Sequence, residues 1–76
     1  MSVIDVLADA LAKDAIVLVN QLGDDDIIYK TAKILSATSS TMEEAYMTSI
    51  RVRLAERRAR MFLSEEANKI KAAKTK

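Results

Sequence analysis

The sequence predicts an all-α protein. Its 76 residues include no proline and a single glycine, Gly23, and these two residue types disfavour helix interiors most strongly. Half of the residues are hydrophobic, a fraction too high for a disordered chain. Apolar residues recur at steps of three and four, the spacing that gathers them on one side of a helix. We therefore expect a small helical hairpin or three-helix unit with a long C-terminal helix.

The first helix is expected from Val3 to Leu22. Ser2 followed by Asp5 resembles a capping box, with Asp in place of the usual Glu. Gly23 stands just past the last residue of this helix, where a left-handed conformation commonly ends a helix. The spacing predicts that one apolar face packs into the core, and its residues are Ile4, Ala8, Leu11, Ala15, Leu18 and Leu22.

The second helix is expected from about Asp25 to Ala37. Three consecutive aspartates, residues 24–26, suit a helix start because their side chains cap free N–H groups and favour the positive end of the helix dipole. The predicted apolar stripe of this helix comprises Ile27, Ile28, Thr31, Ala32, Ile34 and Leu35.

The third helix is expected from Met42 to about Ile70. Thr41 and Glu44 form a capping box, and no helix breaker follows them. Residues 1–70 are thus predicted to form a single domain, and residues 71–76 a frayed basic tail.

The sequence offers little for catalysis. It has no histidine, the commonest acid–base residue, and no cysteine, a strong nucleophile. Without these two residue types the chain can form neither disulfides nor ordinary zinc sites. One glycine is too few for a phosphate-binding loop, and three consecutive aspartates lack the alternating pattern of a calcium loop. We expect a protein that is not an enzyme and needs no metal or cofactor.

The third helix carries two apolar faces, and a hairpin can cover only one. The front face has Met47, Ile50, Leu54 and Met61, interrupted by Arg57. The back face is rich in small residues, which let a second helix approach closely. We therefore expect a homo-oligomer, with another protein as the alternative partner. The predicted oligomer interface consists of Ala45, Val52, Ala55, Ala59, Phe62 and Leu63.

Charge divides unevenly along the chain. Residues 1–44 carry eight acidic and three basic residues, a net charge of −5, whereas residues 45–76 carry nine basic and three acidic residues, a net charge of +6. This division indicates either an anionic partner for the basic half or attraction between the halves, within one chain or between chains.

The candidate residues for nucleic-acid binding are Arg51, Arg53, Arg57, Arg58, Arg60 and Lys69. Arginine suits phosphate, but at 100° per residue these arginines do not form one basic stripe. Their flanking positions favour interface rims and salt bridges. The expected function is that of a non-catalytic interaction or assembly protein, such as a structural subunit, adaptor or small regulator. A small nucleic-acid-binding protein is the alternative.

No membrane association is expected. The longest apolar run, residues 15–19, is far shorter than the roughly 20 residues of a membrane span. The N-terminus lacks the positive charges of a signal peptide. The absence of cysteine fits a reducing compartment, cytoplasmic or otherwise intracellular, and a virion component is an open alternative.

Overall fold

The computed structural model describes residues 2–74, which form three helices and no strand. Helix α1 spans Val3–Leu22, α2 spans Asp26–Thr38 and α3 spans Ser40–Lys74. The all-α fold with a long C-terminal helix is therefore confirmed.

Both ends of α1 lie where the sequence predicts them. The Ser2 hydroxyl accepts a hydrogen bond from the Asp5 N–H at 3.2 Å. Gly23 has a φ of 70°, and its N–H donates to the Val19 carbonyl at 2.7 Å. Glycine adopts this left-handed conformation at little cost, so the chain can turn sharply towards α2.

The junctions on either side of α2 differ slightly from the predicted ones. Helix α2 begins at Asp26, one residue later than expected. The Asp26 N–H donates a hydrogen bond to Asp24 Oδ1 at 3.0 Å. Ser39, in an extended conformation, is the single residue between α2 and α3, and its hydroxyl accepts from the Met42 N–H at 3.1 Å. The predicted cap at Thr41 is therefore wrong: Ser39 caps first, so α3 begins two residues earlier than expected.

The far end of α3 also extends beyond the predicted one. The helix continues four residues past Ile70, and Lys71 and Lys74 lie in its last turn, where cations favour the negative end of the dipole. The remainder of the predicted tail, Thr75 and Lys76, lies outside the described residues. Fraying of residues 71–76 stays a prediction.

The core is small and is built around one aromatic residue. Tyr46 of α3 is completely buried, and its hydroxyl donates to the Ile28 carbonyl of α2 at 3.0 Å. Helix α1 contributes only alanines to the fully buried set, which lets its backbone lie close to its neighbours. The buried residues are Ala8, Ala12, Ala15, Ile28, Ala32, Tyr46 and Ile50.

The predicted buried faces are correct only in part. Leu18 and Leu22, expected in the core, are 45% and 67% exposed, and Ile34 of α2 is 72% exposed. Helix α1 is apolar around most of its circumference, so periodicity alone does not decide which side packs inward. The side of α1 that carries the alanines packs inward because small side chains allow the helices to approach closely.

The molecule is elongated, with dimensions of 58 × 30 × 13 Å and a radius of gyration of 16.5 Å. A compact chain of this length would have a radius of gyration of about 11 Å. Asp9 and Asn20 of α1 contact Arg53 and Arg57 of α3, respectively. The two contacts are 11 residues apart on α1 but only 4 residues apart on α3, so α1 crosses α3 at an angle instead of running alongside it.

Helix α3 is much longer than the helices that pack against it. Its 35 residues span about 52 Å, whereas the 20 residues of α1 span about 30 Å. Every residue from 55 to 74 is exposed except Glu66, which is half-buried. We call this segment, residues 55–74, the overhang.

Candidate functional site

The molecule exposes far more surface than a compact protein of its mass. Its accessible surface is 5934 Å², whereas scaling predicts about 4,600 Å² for a folded monomer of this size. The excess, about 1,300 Å², includes many large hydrophobic side chains. Those exposed among the described residues are Val3, Ile4, Val6, Leu7, Val17, Leu18, Leu22, Tyr29, Ile34, Val52, Met61, Phe62, Leu63 and Ile70.

The first cluster lies on α1, about 150° around the helix from the buried alanines. We call it the outer face of α1. Val3 is 74% exposed, and Val6 and Leu7 are each 52% exposed. The carboxylate of Asp14 lies in the middle of this face and has no ion-pair or hydrogen-bond partner among the described residues. The outer face comprises Val3, Val6, Leu7, Ala10, Val17 and Leu18.

The second cluster is the back face of α3, nearly opposite the side that carries Tyr46 and Ile50. It contains five of the six residues predicted as the oligomer interface, and all five are exposed: Val52, Ala55, Ala59, Phe62 and Leu63. The sixth, Ala45, is half-buried and packs against the core. The back face of α3 is therefore open from Val52 onwards and continues along the overhang.

The front face of α3 packs against the hairpin only in its first half. Ile50 is buried, and Met47 and Leu54 are half-buried against the core. Beyond Leu54 the same side continues with Arg57 and Met61, and Met61 is 57% exposed. The hairpin thus covers the front face as far as Leu54 and leaves the back face uncovered.

A single ion pair joins the acidic and basic halves among the described residues. Arg53 Nε donates to Asp9 Oδ1 and Arg53 Nη2 donates to Asp9 Oδ2, both at 2.7 Å. The two hydrogen bonds from Arg53 hold the pKa of the Asp9 carboxyl below its ordinary value, and burial opposes this shift only in part. Attraction within the chain therefore neutralises little of the charge difference between the halves.

Most of the candidate nucleic-acid residues are engaged within the chain. Besides Arg53, three have partners at 2.9, 2.7 and 3.5 Å, respectively: Arg57 with Asn20, Arg60 with Glu56, and Lys69 with Glu66. The side chains of Arg51 and Arg58 make no hydrogen bond or ion pair among residues 2–74. The structure therefore does not bring the six basic residues together into one free phosphate-binding surface.

The described part of the chain contains no group of three or more carboxylates placed to hold a metal ion. The Asp24 carboxylate instead accepts a hydrogen bond from the N–H of Asp26, the first residue of α2, in agreement with the helix-start interpretation. None of the helices formed by residues 2–74 combines the length and apolar character needed to cross a membrane.

No protein-family model matches the chain, and searches of curated proteins and of solved structures found no similar protein. The chemical features that distinguish the molecule are its two uncovered apolar faces and the unpaired charges beside them.

Proposed function

We propose that this protein is a non-catalytic assembly protein that self-associates through the back face of α3. The observation that carries the proposal is the overhang, which presents Ala59, Phe62 and Leu63 to solvent beyond the point where Arg57 hydrogen-bonds Asn20 of α1. Soluble monomers tend to avoid leaving an apolar strip of this kind uncovered, and Glu66 is the charged residue that interrupts it before Ile70.

The energetics of the overhang favour a partner. An isolated helix of about 20 residues is marginally stable in water, and most helical stability in proteins comes from packing an apolar face. Burying a side chain such as Phe62 or Leu63 stabilises by about 1.5–3 kcal/mol. Ala55 and Ala59 between the larger residues allow a second helix to approach closely. A partner on this face would therefore stabilise both the contact and the helix.

The small core also supports self-association. Seven residues are buried, and three of them are alanines of α1. A chain of 76 residues has a thin margin of stability over its conformational entropy, and neither disulfides nor zinc sites built from cysteine and histidine are available to it. Oligomerisation is the remaining common source of stability.

Nucleic-acid binding is the alternative with less support. Arg51 and Arg58 are free to bind phosphate, but four of the six candidate residues already have partners within the chain. An undetectable affinity for duplex DNA and single-stranded RNA at low salt is the expected result. Tight binding that weakens steeply with salt would favour the alternative.

The proposal is tested by the absolute mass in solution, measured by gel filtration with light scattering at micromolar concentration and physiological salt. We expect wild type to be an oligomer, and Val52→Glu with Ala59→Glu to be a folded monomer. The matched control is Ile34→Glu, which places the same charge on an exposed residue of α2. A wild-type mass near 8.4 kDa would overturn the proposal.

A further inference from the structure

We infer that the copies assemble head to tail, with the back face of one overhang lying on the outer face of α1 of the next copy. This inference rests on the proposed self-association and specifies its geometry. The outer face of α1 and the back face of α3 consist of different residues, although Val17 and Val52 line one groove between the two helices. A head-to-tail contact therefore covers the outer face of one copy and the back face of the next.

The two faces match in length. Helix α1 has 20 residues, and the overhang has 20 residues, so each spans about 30 Å. Pairing two overhangs with each other would cover the back faces and leave the outer face of α1, with Val3 and Leu7, in water. Pairing two α1 helices would leave Phe62 and Leu63 exposed.

Charge separates these arrangements. The overhang carries six basic and three acidic residues, a net charge of +3. Helix α1 carries three acidic residues and one basic residue, a net charge of −2, which becomes −1 when the Arg53 paired with Asp9 is included. Two overhangs, or two α1 helices, would therefore repel each other, whereas an overhang and an α1 helix attract.

Asp14 marks a specific position at which the charges of the two faces can pair. Covering the outer face removes water from this unpartnered carboxylate, and an ion buried without a partner is strongly destabilising. The overhang supplies a cation beside its apolar strip, because Arg58 lies on one flank of the back face and its side chain has no partner among residues 2–74. A second copy thus provides both the apolar surface and the charge that this face requires.

The surface area is also sufficient. In a head-to-tail assembly each interior copy takes part in two contacts. A standard interface buries about 800 Å² from each partner, so two contacts would remove surface comparable to the excess of about 1,300 Å². Head-to-tail contacts close into a ring or continue as a filament, depending on the rotation between neighbours.

The decisive experiment mixes two disabled variants. Leu7→Glu with Ala10→Glu disables the outer face of α1, and Ala59→Glu with Phe62→Glu disables the back face of α3. Each variant alone retains one working surface and should be a monomer. An equimolar mixture should form a heterodimer of about 17 kDa, twice the 8.4 kDa of one chain. Ile34→Glu should assemble like wild type.

Pairing of overhangs with each other predicts different masses. The α1 variant would then assemble like wild type, and that result would overturn the head-to-tail arrangement while leaving self-association intact. A mixture that stays monomeric, although both variants keep wild-type helicity by circular dichroism, would overturn it as well. A monomeric wild type would instead overturn the proposed function itself.

A charge-reversal pair keeps the inference testable if a glutamate variant fails to fold. Asp14→Lys and Arg58→Glu should each raise the dissociation constant by about tenfold, and the double variant should restore it to within about threefold of wild type. Equal effects of the single and double variants would contradict a contact between these two charges and overturn the docking site.

Discussion

Asp9 of α1 and Arg53 of α3 lie 44 residues apart in the sequence and are joined by two parallel hydrogen bonds of 2.7 Å. Planar, two-pronged pairing of this kind fixes orientation as well as distance. Together with the contact between Asn20 and Arg57, it sets the direction in which the overhang leaves the hairpin. The pair therefore positions the proposed assembly surface without belonging to it.

The pairing of Asp9 predicts a specific dependence of stability on pH. Because Arg53 lowers the folded-state pKa of Asp9, the carboxylate stabilises the fold at pH values above the ordinary aspartate pKa, about 3.9, and this contribution is lost as the pH falls through the lower folded-state pKa. Asp9→Asn should be less stable than wild type near neutral pH and equally stable in strong acid.

The pKa of Asp9 is measured directly by NMR titration of its carboxyl carbon. Arg53→Ala should return the pKa to its ordinary range. Arg53→Lys keeps the charge but loses the two-pronged geometry, so it should return the pKa only part of the way. An unchanged pKa in Arg53→Ala would show that the pair does not form in solution.

The hydroxyl of Tyr46 is expected to contribute a modest share of the stability. It is buried and donates to the Ile28 carbonyl, and burial raises the pKa of this hydroxyl while the nearby Thr31 opposes the rise. Tyr46→Phe keeps the ring and should destabilise the fold by about 1 kcal/mol. Tyr46→Ala also leaves a cavity and should cost about 3–5 kcal/mol. Urea denaturation measures both, and equal effects would contradict the assignment of Tyr46 as the centre of the core.

The effect of a substitution at Gly23 is expected to depend on how readily the new residue adopts a positive φ, and not on the size of its side chain. A Cβ at this position would meet no atom within 4 Å, but the φ of 70° is costly for most residues. Gly23→Ala should therefore lower the free energy of unfolding by about 1 kcal/mol, and Gly23→Asn by less, because Asn adopts the left-handed conformation more readily. Equal stability of Gly23→Ala and wild type in urea would contradict strain at this turn.

Local signals in the sequence were enough to predict the fold class and the limits of α1. Gly23 and Ser2 each act through their own backbone geometry, so their roles can be predicted without knowledge of the packing. The cap of α3 could not be predicted in this way, since Ser39 and Thr41 both offer a hydroxyl. Ser39 caps the helix because it directly follows the last residue of α2.

The candidate site was predictable only in part. The spacing of Val52, Ala59 and Phe62 was sufficient to predict the back face of α3, and those residues are exposed. The outer face of α1 was missed because Leu18, one of its residues, was assigned to the core and the face was not considered as a second apolar surface. The available signal was that α1 has more large apolar residues than one face can hold, which is typical of a helix covered on both sides.

The sign of the salt dependence is the most general test of how the copies meet. In a head-to-tail assembly, an overhang with a net charge of +3 approaches an α1 helix with a net charge of −2. Raising sodium chloride from about 0.05 M to about 0.5 M shortens the screening length severalfold and weakens this attraction. The dissociation constant, measured by analytical ultracentrifugation, should therefore rise with salt.

Pairing of two overhangs predicts the opposite sign, because salt would screen the repulsion between two basic segments and tighten the contact. Two arginine variants test whether the salt dependence comes from the proposed contact. Arg58→Ala removes an arginine that has no ion-pair partner within the described residues, so it should weaken the wild-type assembly at low salt and reduce the slope with salt concentration. Arg60→Ala removes an arginine already paired with Glu56 and should change that slope less. A dissociation constant that falls as salt rises would place basic segment against basic segment and exclude the docking of the overhang on α1.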